Sequence, residues 1–289
     1  VYTAFMVLMA WLWYSVRRVD DERYDRVTGT YLAGMIATIV AMFVSAFLPE
    51  DLRLVVWGGV VALWVVSYLL LSVMPASRIR WEFEVTVTDS LVERFGLFTI
   101  IVLGEVVVGV VDGMAEAREE VGHDLVTYAT GLLALIIGFG LWWLFFDFVG
   151  RRLPRQEPQG FARWVVMHGF IGLGIAAAGA SMVDLILHAH DETTSADVAW
   201  LLSGSVALVL VAIALTIQTL ESWNRWRSLY GQAIIGLLVG AAAVLLIGWL
   251  QPTPWLFAFL IAAVLSAIWF FAINRWLAAG GGSQRQLPS

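Results

Sequence analysis

The stretch LVERFGLFTIIVLGE, Leu91 to Glu105, decides how this chain is read. From Phe95 to Gly104 every residue is Phe, Leu, Ile, Val, Thr or Gly, yet the run opens on Glu93 and Arg94 and closes on a carboxylate, Glu105. About 20 apolar helical residues are needed to cross the roughly 30 Å hydrocarbon core of a bilayer, so the run reads as part of a crossing. The surrounding composition agrees. Of 289 residues, 60% are apolar and only 14% charged, and the mean hydropathy is +0.82, well outside the make-up of a soluble domain. The predicted fold class is therefore all-α, a polytopic bundle of transmembrane helices.

Working outward from that run, apolar stretches predict nine spans, near 1–16, 31–48, 54–75, 96–111, 127–149, 164–187, 198–220, 232–250 and 254–277. The breaks between them are charged or carry proline, as in RRLPRQEPQGFAR from Arg151 and QPTP from Gln251; these are the residues that interrupt helices. One transmembrane domain is expected over 1–277, with a flexible cytoplasmic tail over 278–289. All 17 basic residues are Arg. If nine spans alternate in direction, 15 of these 17 fall in loops on one side, which the positive-inside rule makes cytoplasmic in a multi-pass protein of the cell (plasma) membrane. The net charge of −6 does not enter that rule, and nothing points to nucleic acid as a partner. The absence of cysteine removes disulfide and thiolate chemistry. The first run is short, and it has neither a basic leader nor a small-residue cleavage site, so it is not read as a signal peptide. A further helical segment is expected ahead of Val1.

Local signals refine the spans. Ser90 and Glu93 have the Ser-x-x-Glu spacing of a capping box, which predicts a helix starting near Leu91. Trp81 to Thr88 alternates apolar and polar residues, as a short strand or an extended surface segment would. Tryptophans gather near span ends, among them Trp57, Trp142, Trp143, Trp164, Trp249, Trp255 and Trp276, where indole rings anchor at the headgroup level. Gly172, Ala176 and Ala180, and likewise Gly236 and Gly240, recur at the spacing that lets helix backbones approach in lipid. Spans 6 and 8 are therefore expected in the bundle interior, and Gly104 is expected to leave room for a neighbouring backbone beside Glu105.

The ionisable groups inside the spans are the functional candidates. Arg94 and Glu105 are eleven residues apart, about three helical turns or roughly 16 Å, so they share a stripe without touching. Glu105 falls near mid-crossing, where a charged side chain is costly and function is the default reading; it is expected to be a proton or cation site. Glu93 and Arg94 lie at the membrane edge, Glu93 as a cap and Arg94 as an interfacial anchor or gate. Asp147 ends span 5 and His168 lies one turn into span 6, so the hairpin sets them at similar depth. A His with a carboxylate partner titrates near neutral pH, which suits a proton relay; a polar pair that fastens the hairpin is the alternative. Asp184, near the far end of span 6, completes the set. His188, His190, Asp191 and Glu192 follow it with zinc-ligand chemistry, but in one short stretch without a recognised spacing. No metal and no cofactor are expected. Phosphate-binding, dinucleotide-binding, nucleophile-elbow and zinc-protease motifs are absent from the sequence, so the chain is not read as an enzyme.

LVERFGLFTIIVLGE, LWWLFFD (Leu141 to Asp147) and RWVVMHGFIGLGIAAAGA from Arg163 together resemble the bacterial low temperature requirement A family, LtrA, over nearly the whole chain. The resemblance implies a polytopic membrane protein whose family name comes from growth in the cold, without an agreed biochemical activity. Family members usually begin with a helix bearing a Phe-Phe-Asp-Leu-Val-Phe type motif, which this sequence lacks. They commonly carry His where this chain has Ser90 and Ser where it has Val106, so a mechanism that uses either group does not transfer. The expected function is a transporter or an ion- or proton-conducting protein built around Glu105, Asp147 and His168, surrounded by the lipid bilayer. A small ion or proton would be its substrate and a homo-oligomer its assembly. The alternative is a structural or stress-adaptation membrane protein in which the same residues fasten helices.

Overall fold

The computed structural model of the protein describes residues 2–17, 25–73, 87–120 and 124–278. Nine α-helices occupy them: α1 (Tyr2–Arg17), α2 (Asp25–Ser45), α3 (Glu50–Val73), α4 (Asp89–Glu120), α5 (Leu125–Phe148), α6 (Pro158–Leu187), α7 (Ala196–Ile217), α8 (Arg227–Leu250) and α9 (Pro254–Ala278). A single 3-10 turn, Glu221–Trp223, precedes α8, and the described residues hold no strand. The all-α reading stands, but nine spans is too many. Six helices, α4 to α9, are long and apolar enough to cross a membrane among the described residues. Shorter apolar helical stretches, Thr3–Ser15 in α1 and Leu32–Ser45 in α2, lie among the described residues. Most of the alternating Trp81–Thr88 segment and all of the tail from 279 lie outside the described residues.

The chain divides into two compact units, Val1–Glu84 and Val85–Ser289. In the first, α2 packs against both α1 and α3. Two indoles tie α3 to α2: Trp64 Nε1 donates to Thr38 Oγ1 at 3.0 Å and Trp57 Nε1 to Ser45 Oγ at 2.9 Å. Trp57, expected as an interfacial anchor, is thus an interhelical donor. A methyl group on Gly34 would lie 3.2 Å from the Trp64 ring, so the glycine makes room for the indole.

In the second unit the helices contact one another in a closed circuit, α4–α6–α7–α8–α9–α5 and back to α4, with α5 also touching α6 and α7. Short connectors between antiparallel neighbours bring the starts of α4, α6 and α8 and the ends of α5, α7 and α9 to one end. There the α5–α6 and α7–α8 connectors pair, Arg155 N–H donating to Thr219 O at 2.9 Å and Glu221 N–H to Leu153 O at 3.0 Å. The Gln156 side chain clamps the entry to α4, accepting from Val87 N–H at 3.1 Å and donating to Val87 O at 3.2 Å. The cap of α4 is Thr88, whose Oγ1 accepts from Leu91 N–H at 3.3 Å. Helix 4 therefore starts at Asp89, and the Ser90–Glu93 pair lies inside its first turns. Thr88→Ala should destabilise this helix start by about 1 kcal/mol, read as faster amide exchange at Leu91.

At the opposite end Asp124 caps α5, its Oδ2 accepting from Val126 N–H at 2.8 Å and Thr127 N–H at 3.2 Å. His190 Nε2 lies 2.8 Å from the same oxygen. Partial desolvation acts to raise the Asp124 carboxyl, but the Thr127 and Val126 amides and His190 outweigh it and hold the group below its ordinary value of 3.8. A depressed carboxyl stabilises the fold above its unfolded-state value, and that contribution is lost as pH falls through the lower folded value. Protection of the Val126 and Thr127 amides, relative to their intrinsic exchange rates, should accordingly fall only below about pH 3.8, and in Asp124→Asn the protection should no longer follow this titration.

The most enclosed helices are α7 and α6, with 67% and 56% of their most apolar stretches buried, against 33% for α8. The expectation held for α6 and misplaced α8. Gly240 of α8 receives Ile268 of α9, and Gly236 receives Phe271, so these glycines seat bulky neighbours at the edge of the circuit. The interior place belongs to α7, whose side chains from Leu202 to Ile217 are nearly all apolar or hydroxyl-bearing.

Candidate functional site

Glu105 is the seventeenth residue of the 32-residue α4, midway along a helix about 48 Å long. One and two turns further on its stripe are Gly109 and Gly113. A methyl group on Gly109 would overlap the carbonyl oxygen of Gly179 on α6, and one on Gly113 would lie 3.1 Å from Val183 Cα. Reciprocally, a methyl group on Gly179 would lie 2.9 Å from the Glu105 carbonyl carbon and from Val106 N. The two backbones touch here, which is how helices associate where lipid removes the hydrophobic drive. The Gly-x-x-x-Gly spacing of 109 and 113 is the sequence signal for this seam. Gly172, Ala176 and Ala180 bring no backbone contact of this kind, since Gly172 meets the ring of Phe98 on α4 and Ala180 is exposed. Nor does Gly104 receive a backbone: a methyl group there would meet nothing within 4 Å.

The Glu105 side chain itself is exposed on the helix surface. Among the described residues the one ion pair is His190 with Asp124, so Glu105 has no cationic partner there. Glu93 and Arg94 are exposed near the start of α4, and Asp184 is exposed near the end of α6, where His188 Nδ1 lies 2.9 Å from its backbone oxygen. The His188 to Glu192 stretch belongs to no cluster of three metal-ligating side chains among the described residues.

Asp147 and His168 have different partners. Trp269 Nε1 of α9 donates to Asp147 Oδ2 at 3.0 Å. His168 is 3% exposed, its Nδ1 is 2.7 Å from Trp164 O within its own helix, and its ring sits among Phe95, Phe145 and Trp164 at centroid distances of 5.1, 5.7 and 4.1 Å. No Asp147–His168 hydrogen bond exists among the described residues. Trp164, read as an interfacial anchor, is fully buried in this cage, and its Nε1 finds no partner among the described residues.

What Asp147 does line is a cavity of about 490 Å³ between the ends of α5, α8 and α9, shared with Arg152, Tyr230, Phe271, Arg275 and Trp276. Arg152 is pinned across it. Its Nη1 donates to Tyr230 Oη, its Nη2 donates to Asp147 O at 2.8 Å, and Tyr230 Oη is 2.8 Å from Ser222 Oγ. These residues escaped the sequence reading because more than a hundred positions separate the α5 and α9 walls and each looks like an ordinary helix-end residue.

Six long apolar helices, short Arg-bearing connectors and carboxylates within the spans define a polytopic integral membrane protein. The chain belongs to the Bacterial low temperature requirement A protein (LtrA) family, matching it over residues 1–269. No curated protein and no solved structure is significantly similar to it.

Proposed function

We propose that the protein is a transporter or an ion- or proton-conducting protein of the plasma membrane, with Glu105 as its mid-membrane protonatable group and the cavity beside Asp147 as its opening on the cytoplasmic side. The observation that carries this reading is Glu105 itself. A carboxylate midway along a membrane-spanning helix, without an ion pair among the described residues, is costly and finds its usual explanation in moving a proton or cation. Orientation is supported by charge: Arg94, Arg151, Arg152, Arg155, Arg163, Arg225, Arg227 and Arg275 lie at the end where α4 begins, whereas Arg118 lies near the end of α4. Such an excess marks the cytoplasmic face. Asp184 stands near the opposite end, and Glu93 and Arg94 at the near edge. His168, bonded within its own helix, fastens α6 in this scheme and relays nothing to Asp147. No catalytic step is assigned.

A second reading, a structural protein acting in adaptation to cold, draws support from the Gly109–Gly179 seam next to Glu105, where a carboxylate in hydrogen-bond contact with a neighbour would lock helices. Reconstituted into liposomes with a pH-sensitive dye inside, the wild-type protein should carry a proton- or cation-dependent flux, and Glu105→Gln should lower it by about tenfold or more. Equal flux in the variant, or none in the wild type, would overturn the transport reading.

A further inference from the structure

Beyond Glu105, and independently of whether it carries protons, we infer that the cavity between α5, α8 and α9 is a binding site for a phosphate-bearing anion attached to an apolar body. Two guanidinium groups, Arg152 and Arg275, share this 490 Å³ space with a single carboxylate, Asp147. That carboxylate is already engaged by the Trp269 indole. Neither arginine has an acidic partner among the described residues. Arg152 is half-buried and pre-oriented by Tyr230 Oη and Asp147 O, with its guanidinium carbon 5.4 Å from the Tyr230 ring centre. Arg275 is stacked 5.3 Å from the Phe271 ring centre. Planar, weakly hydrated guanidinium forks held in place by aromatic faces are suited to phosphate oxygens.

The remaining walls are apolar, with Phe148, Leu229 and Ala233 among them, and the volume lies in the range of sites for small organic ligands. A second hollow of about 330 Å³ continues from the first through Trp226, Leu229 and Arg275 and adds Arg225. The site thus joins a cationic rim to an apolar interior at the Arg-rich end of the bundle. An anionic phospholipid headgroup with its first acyl carbons, or a soluble organophosphate, supplies the matching chemistry.

The full-length protein in phosphatidylcholine nanodiscs is titrated separately with short-chain phosphatidylglycerol, short-chain phosphatidylcholine and inorganic phosphate, with binding read by native mass spectrometry and by Trp fluorescence, since Trp226 and Trp276 line the space. Saturable binding of phosphatidylglycerol, weakened about tenfold by Arg275→Gln and unchanged by Arg118→Gln at the other end, supports a lipid source. Saturable binding of inorganic phosphate with the same dependence on Arg275 supports a soluble phosphate source. Arg275→Lys should recover part of the affinity. Because Arg152 also holds Tyr230, its substitution can loosen the fold, so Arg275, an exposed residue, carries the decision. Absence of saturable binding by either anion, equal binding of phosphatidylcholine, or binding indifferent to Arg275→Gln overturns the inference.

Discussion

Gly179→Leu should lower the unfolding temperature of the detergent-solubilised protein more than any conservative change elsewhere in α4 or α6. Even a methyl group at this position would stand 2.9 Å from the Glu105 carbonyl carbon and 3.0 Å from its oxygen. These are backbone atoms of a packed helix and cannot swing aside as a side-chain tip would. The helices must separate, and the loss should be about 3 kcal/mol, the upper part of the range for overpacked interiors. Gly109→Leu strikes the same contact from α4, because its first carbon would overlap Gly179 O. The two substitutions should therefore be strongly sub-additive when combined. Gly104→Ala is the control: it meets open space and should raise helix stability by up to about 1 kcal/mol. Thermal unfolding followed by circular dichroism reads all four proteins. A Gly179→Leu protein as stable as the wild type would mean that α4 and α6 do not touch at this point.

Under the transport reading, Glu105→Gln should remove flux while leaving stability unchanged or slightly higher. Glutamine keeps the shape and the hydrogen-bonding oxygen but cannot ionise. An ionised acidic side chain at mid-membrane depth costs about 3 kcal/mol on insertion scales, and the amide escapes that cost. Under the structural reading the sign differs. A Glu that locks two helices loses part of its bond on becoming Gln, so the unfolding temperature falls and no flux exists to be lost. Measuring flux and thermal midpoint on one preparation separates the two readings. Glu105→Asp, which keeps the proton and shortens the arm by one methylene, should retain part of the flux under the transport reading.

The contrast at the start of α4 shows how a local signal is outcompeted. Ser90-x-x-Glu93 is a legitimate capping box, yet Thr88 stands two residues earlier, and its hydroxyl takes the Leu91 amide while Gln156 holds Val87 in place. That second clamp comes from 69 residues away and has no trace in the local sequence. The nine spans read from apolar runs exceed the six helices that are long and apolar enough to cross a membrane among the described residues. The Asp147–His168 relay failed as a pairing because equal depth on a hairpin does not set rotation about each helix axis. Rotation turned Asp147 toward Trp269 and His168 into a cage of aromatic rings.

Taken alone, the amino-acid sequence determined a helical membrane protein, the uneven distribution of arginine, the family and the costly carboxylate at Glu105. Those properties rest on composition, on local charge and on the 1.5 Å rise of a helix, none of which depends on partners far along the chain. Only the tertiary structure decided which glycines bring backbones together, that α7 and not α8 lies inside, and that Arg152, Tyr230 and Arg275 meet around one cavity. Each of those outcomes depends on how a helix is turned about its own axis against its neighbours. In lipid that rotation is set by close packing between helices, since tails as apolar as leucine give no face a preference of its own.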